Sequence, residues 1–240
     1  MPERREINRE MILILLGAPG AGKGTQCARL AQSLVVPHIS TGNILRDHIE
    51  RRSDLGVRIK TIVETGGLVP DGLMLDLLDE RLKKSDCATG FILDGLPRTF
   101  EQAVALDSRL HPLYKGTSPL VVRLIVSEYS LLRRLEARRI CPSCGESYSN
   151  YLEHVKTPGI CEHDGATLVA RSDDGPATVH RRLLRYQEKI SPIVEHYSRN
   201  NVLITIDGDQ PAHRVTTEIL KEITSHRKRR KPIDTASQLV

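Results

Sequence analysis

The residues best placed to do chemistry lie in one short stretch, Gly17-Ala18-Pro19-Gly20-Ala21-Gly22-Lys23-Gly24-Thr25. Glycines at this spacing let successive backbone N–H groups converge on an anion without a Cβ in the way. Lys23 adds a mobile full charge that can reach the outer phosphates of a nucleotide. The stretch directly follows the apolar run Met11-Ile12-Leu13-Ile14-Leu15-Leu16, which reads as a fully buried parallel strand. Gln26 to Leu34 follows and reads as a helix with Cys27, Leu30, Ala31 and Leu34 on its inner face. Strand, glycine-rich turn and helix form a phosphate-binding loop, in which the helix N-terminus adds a partial positive charge. A plain glycine-rich connector needs no lysine in register with both flanks. The pattern therefore implies a bound nucleoside triphosphate. Gly24 stands where the general pattern has Ser or Thr, so the hydroxyl that serves the metal comes one residue later, at Thr25.

A second group carries metal chemistry. Cys141-Pro142-Ser143-Cys144 and Cys161-Glu162-His163-Asp164 are separated by 16 residues, the two halves of a zinc-ribbon spacing with Asp164 as fourth ligand. A disulfide is the alternative, as is His163 in place of Asp164, although the two-residue gap favours the aspartate. With Cys141, Cys144, Cys161 and Asp164 all supplied by protein, the zinc is expected to be structural and not catalytic. Cys27 and Cys87 lie outside the group and read as core or surface thiols.

The elements that must position these residues alternate along the chain. Val35 to Ser40 is extended, and Ser40 or Thr41 caps a helix running from Gly42 to Arg51. Asp54 to Glu64 is a short helix stopped by Gly66-Gly67, and Pro70-Asp71-Gly72 starts another over Leu73 to Lys84. Phe91-Ile92-Leu93 is a buried strand ending in Asp94-Gly95-Leu96-Pro97-Arg98. A helix over Thr99 to Leu110, a strand over Pro119 to Val126 and a helix over Glu128 to Arg139 follow. Residues 140–170 change character and read as an inserted β unit. A long helix over Thr178 to Asn200, a strand over Val202 to Ile206 and a helix over 212–225 complete the chain. This alternation implies an α/β fold with a parallel sheet flanked by helices and right-handed crossovers.

At 240 residues the chain fits one such domain with insertions. The formal net charge of +5 hints at nucleic acid, but Arg227-Lys228-Arg229-Arg230-Lys231 alone carries that excess. The folded part is neutral overall, so no specific nucleic-acid partner is expected, and the basic tail is at most a weak polyanion anchor. No apolar run approaches the roughly 20 residues of a membrane span, and Met1 to Glu10 lacks the apolar core of a signal peptide. A soluble, monomeric, cytoplasmic protein is expected.

The phosphate loop, Ile39-Ser40-Thr41-Gly42, Asp94-Gly95-Leu96-Pro97-Arg98, Arg138-Arg139 and Arg171-Ser172-Asp173-Asp174 stand in the order and spacing of adenylate kinases. The chain resembles the bacterial type with a long, metal-holding lid. The resemblance covers about residues 11–222 and implies the phosphate-loop NTPase fold. It implies a core of 11–39, 70–136 and 175–222, a helical monophosphate-binding unit at 40–69, a β-rich zinc-binding lid at 137–174, and tails at 1–10 and 226–240. It also implies the reaction MgATP + AMP ⇌ 2 ADP, with magnesium accompanying ATP. Gly20, Ala21, Gly22, Lys23, Gly24 and Thr25 match positions that hold ATP phosphates, with Arg134 and Arg138 over ATP and the Gln210 carbonyl on its adenine. Thr41, Arg46, Gly67, Leu68, Val69, Gly95, Leu96, Pro97, Arg98 and Gln102 match positions that bind AMP, with Arg171 and Arg182 spanning both phosphate chains. The Gln102 amide can both donate to and accept from an adenine edge. Lys23, Arg98, Arg134, Arg138, Arg171, Arg182 and Asp94 are the catalytic set, Asp94 orienting magnesium through its water shell. Asp173 and Asp174 help to hold the closed lid. Such a clamp is also what phosphoryl transfer requires physically, since catalysis there is largely positioning and charge stabilisation.

Three positions depart from the family pattern. Leu96 replaces an aromatic residue, which should loosen packing beside AMP. Asn43 replaces an aspartate and removes a negative charge near the monophosphate. Gly175-Pro176-Ala177 replaces acidic residues and should alter the lid hinge. A kinase for another monophosphate base, or one using GTP, is the near alternative. A regulatory or RNA-binding ATPase is the distant one, although no aromatic base-stacking surface supports it.

Overall fold

The computed structural model describes residues 11–114, 118–149 and 158–229. Strand β1 (Met11–Leu16) leads through the glycine loop into helix α1 (Lys23–Leu34), then β2 (His38–Ser40), α2 (Thr41–Glu50), α3 (Asp54–Glu64) and α4 (Asp71–Leu82). Next come β3 (Gly90–Asp94), α5 (Phe100–Leu113), β4 (Leu120–Ile125) and α6 (Glu128–Glu136). The small strands β5 (Arg138–Ile140) and β6 (Ser147–Ser149) precede the long helix α7 (Pro176–Arg199), strand β7 (Leu203–Asp207) and helix α8 (Ala212–Arg229).

Five strands form one sheet in the order β2-β3-β1-β4-β7, and every pairing is parallel. β1 lies at its centre and is buried along its whole length, which explains the unbroken apolar run. Its side chains alternate between two cores. Ile12, Ile14 and Leu16 join Phe91, Leu93 and Val121 in a core closed by α4 and α5. Met11, Leu13 and Leu15 join Ile92, Val122 and Leu124 in a second core, closed by α1 and α8. Helix α7 serves both: Val179 and Leu183 pack into the second core, Ile193 and Tyr197 into the first. A rigid rod thus ties the two layers together and carries its arginines past the carboxyl ends of the strands.

Local signals set most boundaries. The Ser40 hydroxyl accepts from the Asn43 amide at 3.3 Å, and Ser53 accepts from the Gly56 amide at 3.0 Å, capping α2 and α3. Gly56 lies where α3 meets the end of α2. A Cβ there would stand 1.9 Å from the His48 carbonyl oxygen, so only glycine permits that approach.

Several boundaries differ from expectation. α1 begins at Lys23, so the lysine belongs to the helix's first turn and not to the loop before it. α6 ends at Glu136, because Arg138–Ile140 leaves the helix to pair antiparallel with Ser147–Ser149. Arg138 therefore stands on a strand of the insert. α8 continues through Arg229, so the basic run starts inside a helix, and its remainder lies outside the described residues. Among the described residues, no helix is long and apolar enough to cross a membrane.

Candidate active site

The carboxyl ends of β1, β2 and β3, with the loop after β7, open into a single cleft of about 910 Å³, floored by the phosphate loop and flanked by α7 and the insert. Gly20 (φ +84°) and Gly22 (φ +90°) take left-handed conformations that turn the loop, and no side chain caps the helix behind it. The first-turn N–H groups of α1 are thus left for an incoming anion. Gly24 and Thr25 are exposed to the cleft, whereas Ala21 is buried beneath it. The Lys23 ammonium donates to the carbonyls of Gly17 at 2.8 Å and Ala18 at 3.0 Å. Burial pulls its pKa down to about 8. Asp94 opposes that fall, and Arg98 and Arg182 add to it.

Cationic side chains converge on the cleft from six separate elements or loops: Arg46 from α2, Arg98 after β3, Arg134 from α6, Arg138 from β5, Arg171 before α7 and Arg182 within it. Like charges packed so closely need counter-charges, and two adjacent carboxylates supply them. Asp173 accepts from Arg171 at 2.8 and 2.6 Å and from Arg182 at 3.1 Å. Asp174 accepts from Arg138 Nε at 2.6 Å and from Arg182 at 3.1 Å. Burial alone would raise the Asp173 carboxyl, but Arg171, then Arg182 and Arg138, overcome it and hold the pKa at about 2. Burial, followed by Arg171, lowers the Arg46 pKa to about 10. Arg134 donates to the Gly208 carbonyl at 2.8 Å, which joins α6 to the loop carrying Gln210. The Gln210 amide is turned towards Glu218 at 3.1 Å.

A smaller side cavity of about 60 Å³ opens beside Arg46, Leu68, Val69, Leu96 and Gln102. Thr41 is buried and donates to the Asp94 carbonyl at 3.2 Å. Gly95 (φ +91°) permits this, since a Cβ there would meet the Thr41 hydroxyl at 2.4 Å. Leu96 is 1 % exposed and part of the first core, so its replacement of an aromatic residue leaves no loose packing. Pro97 beside it is also buried. Asn43 holds the Arg46 guanidinium through its side-chain oxygen, a task that needs no negative charge. Gln102 is buried, with its Oε1 accepting from the Arg98 amide at 2.7 Å and its Nε2 donating to Asp71 at 2.7 Å. Both ends of the amide are thus engaged within the fold. Gly67 is held by its amide on the Ile62 carbonyl at 2.7 Å.

In the insert, ligand atoms of Cys141, Cys144, Cys161 and Asp164 all lie within 4.8 Å of one another. Cys144 and Cys161 Sγ are 3.6 Å apart, and Cys141 Sγ is 3.3 Å from Asp164 Oδ2. Tetrahedral zinc with thiolates at about 2.3 Å places its ligands about 3.7 Å apart, so the donors fit the ion. All the cysteines among the described residues are free, which removes the disulfide reading, and His163 stays outside the group. Backbone amides of Ser143 and Cys144 point at Cys141 Sγ, and that of His163 at Cys161 Sγ. Such donors suit thiolates.

The structure also brings in residues that motif reading passed over. Arg185 and Arg181 on α7 donate to the backbone carbonyls of Gly66 and Thr65, fastening the end of α3. Arg181 and Arg182 each stand one turn before Arg185 on a helix flanking the cleft, a signal that was present in the sequence. Gln26 donates to the Ala212 carbonyl at 2.9 Å and accepts from Thr216 at 2.8 Å, locking α1 to α8 beside the Gln210 loop.

Comparison with known proteins agrees with this geometry. Residues 15–202 match the family described as Adenylate kinase. The adenylate kinase of Kosmotoga olearia is 44% identical over 213 residues, covering 89% of this chain and 99% of the relative. That of Lachnospira eligens is 43% identical over 211 residues, covering 88% and 99%. That of Methanocella arvoryzae is 43% identical over 209 residues, covering 87% and 96%. With a phosphate loop, an arginine-lined cleft and near full-length similarity, this chain belongs to the adenylate kinase family.

Proposed function

We propose that the protein is a nucleoside monophosphate kinase that transfers the γ-phosphoryl group of ATP reversibly to AMP, giving two ADP. The observation that carries this is the convergence of Lys23 and six arginines on one cleft with two lobes. The loop amides of Gly20 to Thr25 and Lys23 hold the ATP phosphates, while Arg134 and Arg138 cover them and the Gln210 carbonyl meets the adenine. Thr41, Arg46, the Gly67–Val69 backbone, Gly95–Arg98 and Gln102 hold AMP, and Gln102 can read its base by exchanging one of its present bonds. Arg171 and Arg182 lie between the two and stabilise the transferring group. As nucleotides enter, their phosphates compete with Asp173 and Asp174 for these guanidinium groups, so the clamp is organised before substrate arrives.

Magnesium bound with ATP supplies charge neutralisation for the transferring phosphoryl group. The Asp94 carboxylate and the Thr25 hydroxyl, which line the same cleft, are hard oxygen donors suited to a hydrated magnesium ion. The unit at 40–69 and the insert at 137–174 close over AMP and ATP and exclude water, a type of motion for which adenylate kinase is itself a standard example. One zinc held by Cys141, Cys144, Cys161 and Asp164 folds the insert, and its four protein ligands leave no open position for catalysis. Free thiols and adenine nucleotide substrates suit a reducing compartment such as the cytoplasm.

Family membership favours this reaction over a regulatory or RNA-binding ATPase. The test is a coupled assay of ATP against AMP, CMP, UMP and GMP, with GTP as alternative donor and Lys23→Met as control. Transfer to AMP should dominate, and Lys23→Met should lose kcat by several orders of magnitude. Preference for another monophosphate, or wild-type kcat in Lys23→Met, overturns the assignment.

A further inference from the structure

Cys27 has no part in the chemistry above. It lies one turn beyond Lys23 on α1, fully buried, with its side chain turned towards β2 and β3. A sulfur from Cys27, a ring nitrogen from His38 and a carboxylate oxygen from Asp94 all lie within 4.8 Å of one another. The sheet brings two of them together: Ser40 on β2 pairs with Asp94 on β3, so His38, two residues earlier, sits diagonally across on the same face. His38 Nε2 is 4.0 Å from Asp94 Oδ2. It is sealed from solvent and has no hydrogen-bond partner among the described residues. A buried polar atom left unpaired is costly, and in the tautomer protonated at Nδ1 this nitrogen carries a free lone pair that can bind a cation.

The three donors differ in hardness, and that difference selects the ligand. Thiolate and imidazole favour zinc or cadmium, whereas magnesium and calcium take oxygen ligands alone. Tetrahedral zinc spaces its ligands by about 3.3–3.7 Å, so side-chain adjustments of about an ångström close the set. His38 and Asp94 line the cleft above Cys27, which provides a way in and leaves a fourth position for water or a phosphate oxygen.

We propose that Cys27, His38 and Asp94 form a binding site for a thiophilic divalent cation beneath the phosphate loop, and that its occupation blocks phosphoryl transfer. On binding, the Cys27 thiol loses its proton to solvent and the thiolate bonds to the metal. Asp94 turns towards the same ion. The inhibitory half rests on the reading that Asp94 orients the water shell of magnesium; the binding half does not. Zinc and magnesium–nucleotide then compete for one carboxylate, although the two metals occupy different places.

The test uses the full chain with its Cys141 group saturated. Equilibrium dialysis against zinc chloride without nucleotide should reveal one further equivalent. Cys27→Ser and His38→Gln should each weaken it by at least about tenfold, since even an outer-shell partner of a metal ligand is worth about 10–100-fold in affinity. Zinc should inhibit the wild type, reversibly on chelation and less strongly as magnesium–ATP is raised. Both variants should keep wild-type activity in chelator and resist zinc. Circular dichroism checks that each is folded, and if Cys27→Ser is not, His38→Gln alone decides. Equal zinc affinity in wild type and folded variant overturns the site. A further equivalent that depends on Cys27 but leaves activity untouched supports the site, overturns inhibition and removes Asp94 from magnesium's shell.

Discussion

Asp173→Asn is the substitution whose consequence can be worked out furthest from the structure. Its side chain is 12 % exposed and accepts two bonds from Arg171 and one from Arg182, so it neutralises cations that the cleft keeps out of water. The folded pKa near 2, against an ordinary 3.8, corresponds to roughly 2 kcal/mol of preference for the ionised carboxylate in the folded state. Removing one partner of a buried ion pair costs roughly 3–5 kcal/mol. Asparagine keeps the shape and one acceptor oxygen, so roughly 2–4 kcal/mol should be lost at pH 7. The sign with pH follows. The folded pKa is depressed, so this stability is fully present above the unfolded value and is lost as pH falls through about 2. At pH 3 about half of the roughly 2 kcal/mol remains. Urea unfolding at pH 7 and pH 3 should show the gap between wild type and variant narrowing by roughly 1 kcal/mol. A gap below 0.5 kcal/mol at pH 7, or one that does not change with pH, refutes the idea that Asp173 acts as the counter-charge of this cluster.

Other positions give sharper yes-or-no outcomes. Gly56→Ala would improve helix propensity, yet its Cβ would fall 1.9 Å from the His48 carbonyl oxygen, so unfolding in urea should show a loss of about 1–3 kcal/mol or more and not a gain. Gln102→Ala should relax the preference for AMP over other monophosphates in the coupled assay; an unchanged selectivity profile means that Gln102 only holds Arg98 and Asp71 in place. A chelator, or Cys144→Ser, should lower the melting temperature while activity at low temperature partly survives, and the purified protein should contain close to one equivalent of zinc bound by the Cys141 group. Metal-free protein of unchanged stability would refute a structural metal.

Much of this protein can be read from residues close together in the chain. The phosphate loop, the helix over Asp54–Glu64, the central strand Met11–Leu16 and the cysteine spacing are legible because glycine geometry, caps and apolar runs act over a few residues. Leu96 is different: whether it loosens or completes the wall of the side cavity depends on a core assembled from five helices and four strands. The end of α6 is also undetermined locally, since Ala137 to Ile140 could extend the helix until pairing with Ser147–Ser149 competes for the same backbone groups. The cleft arginines are recognisable one by one, but the sharing of Asp173 and Asp174 among Arg138, Arg171 and Arg182 comes from folding the insert against α7. The meeting of Cys27, His38 and Asp94 is set by β2 pairing with β3 and by α1 packing over them. Local sequence specifies backbone conformation; burial and the meeting of distant charges exist only once the chain has closed on itself.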